Sequence, residues 1–202
     1  MAEQDPGHHH HHRHEWTEDH LRHLEHPDRE QWMPRAPVLE AVDARPGDKV
    51  ADVGAGLGWL TFPLAMAVGA SGRVLAIDPS PDAVRALKER SQADHLPQVE
   101  VIQARAEATH LPADYVDRVV WHTMYHDVEG RHSAIDEMFR IMKSGARWVV
   151  VDWVKDDSVN GPPVAIRMHP EEVEEEITAH GFIKVGSFTP GPVTWGLIFE
   201  KP

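Results

Sequence analysis

About a quarter of the way along the chain begins the stretch Val50-Ala51-Asp52-Val53-Gly54-Ala55-Gly56-Leu57-Gly58. A short apolar run leads here into three alternating glycines, and an apolar helical segment follows them. In open α/β sheets, ligands bind at the carboxyl ends of strands, where glycines let backbone amides come close to a nucleotide. The stretch therefore predicts a strand, a loop and a helix that together form a nucleotide site.

A second apolar run, at residues 74–77, supports this prediction. It ends in Asp78, which lies 24 residues after Gly54. A carboxylate at that place can accept both hydrogen bonds from a ribose diol. An Asp at a strand end can also be a simple helix cap, but the spacing favours the ligand role.

The glycine spacing distinguishes between two classes of cofactor. A dinucleotide site has the pattern G-x-G-x-x-G, with the pyrophosphate over the helix N-terminus. This chain has G-x-G-x-G and places the bulky Trp59 where the third glycine would fall. We therefore expect an adenosine cofactor without a pyrophosphate, and a nicotinamide-dependent dehydrogenase is the less favoured alternative.

Composition excludes several other classes of protein. Lys and Arg number 20 against 33 Asp and Glu, so the net charge is −13, and we expect no nucleic-acid partner. The chain has no Cys, which excludes disulfides and thiolate sites and fits a reducing, cytoplasmic compartment. No apolar run approaches the roughly 20 residues that span a bilayer, so we expect no membrane segment.

The 202 residues have the length of one domain. From Lys49 onward, short β-branched runs alternate with amphipathic segments, the pattern of βα units around a largely parallel sheet. The predicted strands are 49–53, 73–77, 99–103, 118–122, 147–153, 182–188 and 193–200. The predicted helices are 59–68, 81–93, 131–142 and 170–180. A short link at 189–192 suits an antiparallel hairpin between the last two strands.

These features together resemble a class I S-adenosylmethionine-dependent methyltransferase, over roughly residues 36–202. The resemblance rests on the glycine stretch, Asp78, the run from Val99 through Asp117 to Trp121, the Lys143-Ser144-Gly145 turn and the terminal hairpin. It implies an α/β fold, a Rossmann-like seven-stranded sheet of order 3-2-1-4-5-7-6 with its last strand antiparallel. Within that family the chain is most similar to the small bacterial quinone-biosynthesis and arsenite methyltransferases. Three further segments match features of one poorly characterised branch of the superfamily: Tyr125-His126-Asp127, Asp152-Trp153 and Gly161-Pro162-Pro163.

The resemblance also implies which residues bind S-adenosylmethionine and its product S-adenosylhomocysteine. The expected cofactor-binding residues are Asp52, Gly54, Ala55, Gly56, Gly58, Asp78, Pro79, Arg105, Ala106, Trp121 and His122. Relatives often carry an acid after the third strand to accept the adenine amino group, whereas this chain has Arg105, which cannot accept it. We expect the backbone of Arg105 and Ala106 to recognise adenine, although Glu107 is an alternative.

The chemical centre is expected at the end of the fourth strand. Methyl transfer is an in-line displacement that mainly requires alignment, and a base is needed only when the acceptor must lose a proton. His126 is the candidate base, oriented by Asp127 or Asp152, because imidazole titrates near neutral pH. A purely structural His126 is an equal alternative, and Trp121 and Tyr125 can either hold the sulfonium or belong to the core.

Residues 1–14 are rich in histidine and are expected to be a disordered tail, either native or an expression tag. Residues 15–44 are expected to form a helical lid segment around Trp32 and Met33, and residues 45–202 the cofactor-binding domain. The tail gives a possible affinity for divalent metal, but no metal is expected in methyl transfer.

The expected function is methyl transfer to a small-molecule acceptor. The absence of Cys argues against an arsenite acceptor, which thiolates normally hold. The alternative is a non-catalytic protein that binds S-adenosylmethionine or metal on a degenerate methyltransferase fold, a reading supported only by Arg105.

Overall fold

A computed structural model describes residues 28–157 and 161–202. In these ranges the strands, in chain order, are β1 (Lys49–Val53), β2 (Arg73–Asp78), β3 (Val99–Gln103), β4 (Val116–His122), β5 (Met142–Trp153), β6 (Ile183–Gly191) and β7 (Thr194–Glu200). They form one seven-stranded sheet in the order β3-β2-β1-β4-β5-β7-β6. This confirms the order expected from the sequence.

The strand directions also agree with the prediction. β1 pairs in parallel with both β2 and β4, and β3 and β5 extend the parallel sheet on either side. β7 is antiparallel to β5 and to β6, which closes the sheet with the expected hairpin. The carboxyl ends of β1, β2, β4 and β5 therefore meet at one edge of the sheet.

Helices cover both faces of the sheet. They are α1 (Arg29–Trp32), α2 (Arg35–Val42), α3 (Thr61–Val68), α4 (Pro81–Ala93), α5 (Arg131–Ile141) and α6 (Pro170–Ala179). Because side chains alternate along a strand, Val50 packs in the core layer that contains α2 and α3, while Ala51 and Val53 pack in the layer that contains α5 and α6. Burial on both faces explains the near-continuous apolar runs of the parallel strands.

The predicted boundaries differ from the structure mainly at β5. The strand begins at Met142, so the Lys143-Ser144-Gly145 turn lies inside it rather than before it. The β4–β5 register shifts between Val116 and Arg118, and Gly145 has φ +75°, so the turn is an irregularity in the strand. The prediction for residues 1–14, and that for the first part of the 15–44 segment, lie outside the described residues.

Within residues 28–157 and 161–202, the structure has no helix with both the length and the hydropathy that a bilayer crossing requires.

A single methyl group added at Gly58 in the glycine loop should destabilise the folded protein. Its φ is +85°, and a Cβ there would overlap the ring of Phe62 and lie 3.0 Å from Leu87 Cδ2. Gly58→Ala should lower the free energy of unfolding by about 2–3 kcal/mol, since strain and overpacking combine. Gly69→Ala is the matched control, because Gly69 has φ +62° but nothing within 4 Å of the added Cβ. Equal losses for the two variants in urea unfolding would contradict this account of the loop.

Candidate active site

The glycine loop is joined to the end of β2 by backbone hydrogen bonds. The amides of Gly54 and Ala55 both donate to the Ile77 carbonyl, at 2.8 and 3.1 Å. The Gly56 amide donates to Asp78 Oδ2 at 2.8 Å. Gly54 and Gly56 have φ of +71° and +53°, which explains the choice of glycine there. The loop after β1 and the end of the neighbouring strand β2 thus place three backbone amides and one carboxylate close together.

Asp78 is the acidic centre of this set. Its side chain is buried, and besides Gly56 it accepts a 2.9 Å hydrogen bond at Oδ1 from the Ser80 amide. Burial raises the pKa of Asp78, while the two amide hydrogen bonds act in the opposite direction. Each carboxylate oxygen can accept a second hydrogen bond. Asp78 therefore keeps acceptor capacity of the kind that the two hydroxyls of a ribose diol require.

Asp52 and His122 lie at the ends of the two strands beside this loop. Asp52 accepts a 2.6 Å hydrogen bond from Thr61 Oγ1 at the start of α3. Burial raises the pKa of Asp52 to about 6, with Asp78 adding to the rise. Burial and the nearby Arg29 cation lower the pKa of His122 to about 3, so its ring is neutral at physiological pH.

Arg29 is a component of this site that the sequence analysis missed. It is only 6% exposed, although it lies in the short helix α1. Its guanidinium stacks over Trp59 at 4.5 Å from the ring centroid, and Arg35 lies 4.3 Å from the same ring. Met33 is also buried, so this part of the expected lid segment does pack against the domain. One arginine in a polar stretch gives no periodic signal from which its burial could be predicted.

The side chain of Arg105, in the segment after β3, is exposed. Arg105 Nη2 lies 3.4 Å from Glu107 Oε1 and 3.8 Å from Glu129 Oε2, in an exposed group of charges. The chain enters this segment through the Ala104 amide, which donates to the Asp78 carbonyl at 3.2 Å. Ala106 is buried. The hydrogen bond of the Ala104 amide thus places the backbone at the start of this segment beside Asp78.

The structure brings His126 together with both predicted partners. His126 Nδ1 lies 2.7 Å from Asp152 Oδ1, and the His126 amide donates to Asp152 Oδ2 at 3.0 Å. Nε2 lies 3.3 Å from Asp127 Oδ2, and the side chain of His126 is only 4% exposed. Burial alone would lower the pKa of His126, but the hydrogen bonds to Asp127 and Asp152 outweigh it and raise the pKa to about 10.

This geometry disagrees with His126 as a general base. A base must have a free lone pair at the working pH, whereas both ring nitrogens of His126 face carboxylates and the ring is charged at neutral pH. The sequence predicted that these residues meet, but it could not predict that the ring lies between two acids. The histidine therefore holds two carboxylates in place.

Trp121 and Tyr125 were the other aromatic candidates at this centre. Trp121 has no exposed surface and packs against Tyr125 and Trp148, with ring centroids 5.7 and 4.9 Å away. The Tyr125 hydroxyl donates to Glu176 Oε2 at 2.7 Å. The structure places both rings in the core, which agrees with the core alternative for Trp121 and Tyr125 and speaks against Trp121 as a cofactor-binding residue.

The chain after β5 folds back over the same edge of the sheet. The Trp153 amide donates to Asp152 Oδ1 at 2.8 Å, and a Cβ at Gly161 would lie 2.8 Å from the Trp153 ring. Arg167 is buried, and its guanidinium donates to the carbonyls of Pro162, Val154 and Asp156 at 2.8, 3.1 and 2.9 Å. Sequence reasoning missed this arginine, which fixes the shape of the rim.

In the part of the chain that the structure describes, no group of three or more His, Cys, Asp or Glu side chains is arranged to hold a metal ion. The histidine-rich residues 8–14 lie outside that part.

The chain is similar to several methyltransferases. Residues 50–145 match the model of a methyltransferase domain. The ubiquinone/menaquinone biosynthesis C-methyltransferase UbiE of Vibrio campbellii is 30% identical over 119 residues, 58% of this chain and 46% of that protein. An uncharacterized 37.1 kDa protein in transposon TN4556 of Streptomyces fradiae is 31% identical over 149 residues, 72% and 42% of the two chains. The chain thus spans less than half the length of these relatives.

Solved structures extend the likeness to nearly the whole chain. A SAM dependent methyltransferase from Aquifex aeolicus aligns with a TM-score of 0.85 at 25% identity, covering 91% of this chain and 97% of that one. A putative type 11 methyltransferase from Sulfolobus solfataricus aligns with a TM-score of 0.71 at 23% identity, covering 84% and 92%.

Proposed function

Because the chain belongs to the class I S-adenosylmethionine-dependent methyltransferases, we propose that it transfers the methyl group of that cofactor to a small molecule. The observation that carries this proposal is the hydrogen bond from the Gly56 amide to Asp78 Oδ2, at 2.8 Å. This hydrogen bond joins the glycine loop to the acidic end of β2, so that backbone amides and a carboxylate lie next to each other. Such a set of groups suits a ligand that has an adenosine part beside an amino-acid part.

Each part of the cofactor has a residue whose chemistry suits it. Asp78 would accept hydrogen bonds from the ribose hydroxyls, and the buried carboxylate of Asp52 would attract the ammonium group. The backbone of Arg105 and Ala106, with Pro79 beside them, would recognise adenine. When bound, the cofactor supplies a methyl group on a cationic sulfur, which needs an aligned acceptor and no metal.

We assign His126 a positioning role and Asp127 the role of proton acceptor, where the acceptor has a proton to lose. The His126 imidazolium holds Asp152, at the end of β5, through Nδ1 and the more exposed Asp127 through Nε2. The side chain of Asp127 is 42% exposed, whereas that of Asp152 is buried and also binds the Trp153 amide. Asp127 is thus the carboxylate of this group that a substrate can reach.

This assignment predicts the protonation state of His126. Both ring nitrogens should remain protonated from pH 6 to 9, because the folded-state pKa is about 10. Since that pKa is above the unfolded value, the stabilisation is complete below about pH 6.5 and is lost as the pH rises through about 10. Two-dimensional ¹⁵N NMR of the imidazole rings measures this directly. In Asp127→Asn the midpoint should fall, and a wild-type midpoint near 6.5 would restore His126 as the base.

For the acceptor, we propose a small molecule. The net charge of −13 disfavours nucleic acid, and a chain without Cys lacks the thiolates that would hold arsenite. UbiE is named for C-methylation in quinone biosynthesis, so phenols and quinols are the first class to try, followed by amines, small carboxylates and thiols. The absence of Cys favours a cytoplasmic setting for the reaction.

The experiment is to incubate the protein with S-adenosylmethionine and each acceptor class, and to measure S-adenosylhomocysteine by mass spectrometry. Turnover that needs both the acceptor and an intact Asp78 supports the proposal. A protein that binds the cofactor but methylates no member of any class would favour the non-catalytic alternative. Arg105, the residue that supported that alternative, instead forms ion pairs with Glu107 and Glu129 on the surface.

A further inference from the structure

The two edges of the sheet differ in how well they are protected against pairing with another strand. β6, at one edge, contains Lys184 and Pro190, and its register with β7 shifts twice. Lysine, proline and bulges are features that keep edge strands from pairing. β3, at the other edge, has the sequence Val-Glu-Val-Ile-Gln and a continuous register with β2. Among the residues that the structure describes, no strand pairs with the outer side of β3.

The hydrogen bonds between β2 and β3 show which backbone groups of β3 face outward. The Val74 amide donates to the Gln98 carbonyl at 2.9 Å. In a parallel ladder, alternate residues of a strand bond to the same neighbour. Every second residue after Gln98 therefore bonds to β2, whereas the N–H and C=O groups of Val101 and Gln103 face away from it. The Val99 carbonyl has the same outward direction.

A cavity lies on each face of β3. One has a volume of about 290 Å³ and is lined mainly by apolar side chains of β2, β3 and the segment after β3, namely Leu75, Ile102, Leu111 and Tyr115. The other has a volume of about 620 Å³ and is lined by Val99, Val101 and residues of α4 and the turn after it. A strand added to β3 would direct its side chains alternately to the two faces, so it would place side chains at both cavities.

We propose that β3 pairs in antiparallel fashion with β3 of a second copy of this chain, which joins the two sheets across a twofold axis at Val101. The two copies of Val101 exchange two hydrogen bonds, as the outward direction of their backbone groups allows. Two more hydrogen bonds run from the Gln103 amide of each copy to the Val99 carbonyl of the other. Each copy thus contributes the same patch, as in other twofold interfaces.

The side chains of β3 are compatible with a second copy of themselves. In this register Val101 lies opposite Val101, and Glu100 lies opposite Ile102 of the other copy, so no like charges are directly opposed. The Glu100 carboxylate also comes level with the smaller cavity of the other copy, which His110 lines. An imidazole there can donate a hydrogen bond to the carboxylate. The strand therefore matches its own copy in backbone and side chains.

The test is the mass of the full chain in solution, measured by sedimentation equilibrium from micromolar to sub-millimolar concentration. Salt at physiological strength screens the repulsion between two chains that each have a net charge of −13. The mass should rise from that of one chain to that of two. Deuterium exchange at the Val101 and Gln103 amides should slow as the dimer forms, because both amides become hydrogen-bonded.

Gln103→Pro is the variant that weakens the dimer. Gln103 is exposed, and its amide faces away from β2, so proline there breaks no hydrogen bond of the ladder. The dimer loses two hydrogen bonds and the ring obstructs the second strand, so the dissociation constant should rise at least about tenfold. Gln103→Thr is the matched control, because it keeps the amide and suits a strand, and it should dimerise like wild type. Circular dichroism checks that both variants are folded.

Three results would overturn the proposal. The first is a chain that stays monomeric at every concentration with rapidly exchanging β3 amides. The second is a dimer that a folded Gln103→Pro variant retains, or one in which the β3 amides exchange as fast as in the monomer, because its interface would lie elsewhere. The third is a monomer with slowly exchanging β3 amides, which would show that another segment of the same chain occupies this edge. The exchange measurement on wild type decides even where the proline variant does not fold, and none of these results depends on cofactor binding.

Discussion

Asp78→Ala should lower the affinity for S-adenosylhomocysteine by at least about 100-fold. A carboxylate makes charge-assisted hydrogen bonds worth about 1.5–3 kcal/mol each, and a ribose diol offers two of them. The substitution also removes the acceptor of the Gly56 amide at 2.8 Å, which releases the glycine loop from β2. Both losses act on the same ligand, so this should be the largest binding defect of any single change in the site.

Asp82→Ala is the control for this experiment. Asp82 lies four residues further along, at the start of α4, where it forms an exposed ion pair with Arg85 at 2.7 Å. Its loss should leave the affinity within about twofold of wild type, because exposed pairs contribute little. Thermal unfolding of both variants separates a binding defect from misfolding. An Asp78→Ala protein that is folded and binds with wild-type affinity would remove Asp78 from the site.

Asp152→Ala should cost the protein about 3–5 kcal/mol of unfolding free energy, because removal of one partner leaves a buried charge uncompensated. Asp152 accepts three hydrogen bonds, from the Nδ1 and amide of His126 and from the Trp153 amide. All three donors are left without that acceptor in the variant. Urea unfolding at pH 7 measures the loss.

The comparison for Asp152 is an aspartate in an exposed ion pair with an arginine. Asp94 lies 3.6 Å from Arg90 at the end of α4, with both side chains about half exposed. Asp94→Ala should cost less than about 1 kcal/mol. A similarly small loss for Asp152→Ala would mean that the contacts between Asp152 and His126 contribute little to the stability of the fold. That result would also contradict the positioning role assigned to His126.

The sequence predicts the fold well because one physical pattern repeats. Strands buried on both faces are continuous apolar runs, and the glycine loop and Asp78 occur at strand ends, where parallel sheets place ligands. The local sequence pattern therefore predicts both the strands and the edge of the sheet at which the site residues lie. The β5 boundary was less predictable, since Gly145 interrupts the apolar run although the chain remains in the strand.

The charges of the site are less predictable, because they depend on contacts between distant segments. The pKa of His126 follows from Asp127 beside it and from Asp152, which lies 26 residues away. No spacing in the sequence shows that both meet the same ring. Arg29 lies 30 residues before Trp59 in the chain, yet its guanidinium stacks on that ring.

The aromatic residues of β4 show a related limit. Trp121 was expected to face the cofactor because it lies near the end of a strand whose last residues border the site. Alternation along β4 instead directs it into the core layer with Trp148. The side of a strand that faces a ligand depends on how the chain bends beyond the strand end, which local sequence does not specify.

The most direct test of the central claim is a calorimetric titration of the wild-type chain with S-adenosylmethionine, S-adenosylhomocysteine and NAD. Both sulfur nucleosides should bind at a single site and NAD should not, since Trp59 stands where a pyrophosphate loop needs glycine. Binding of NAD in preference to the sulfur nucleosides, or binding of none of the three, would contradict that claim.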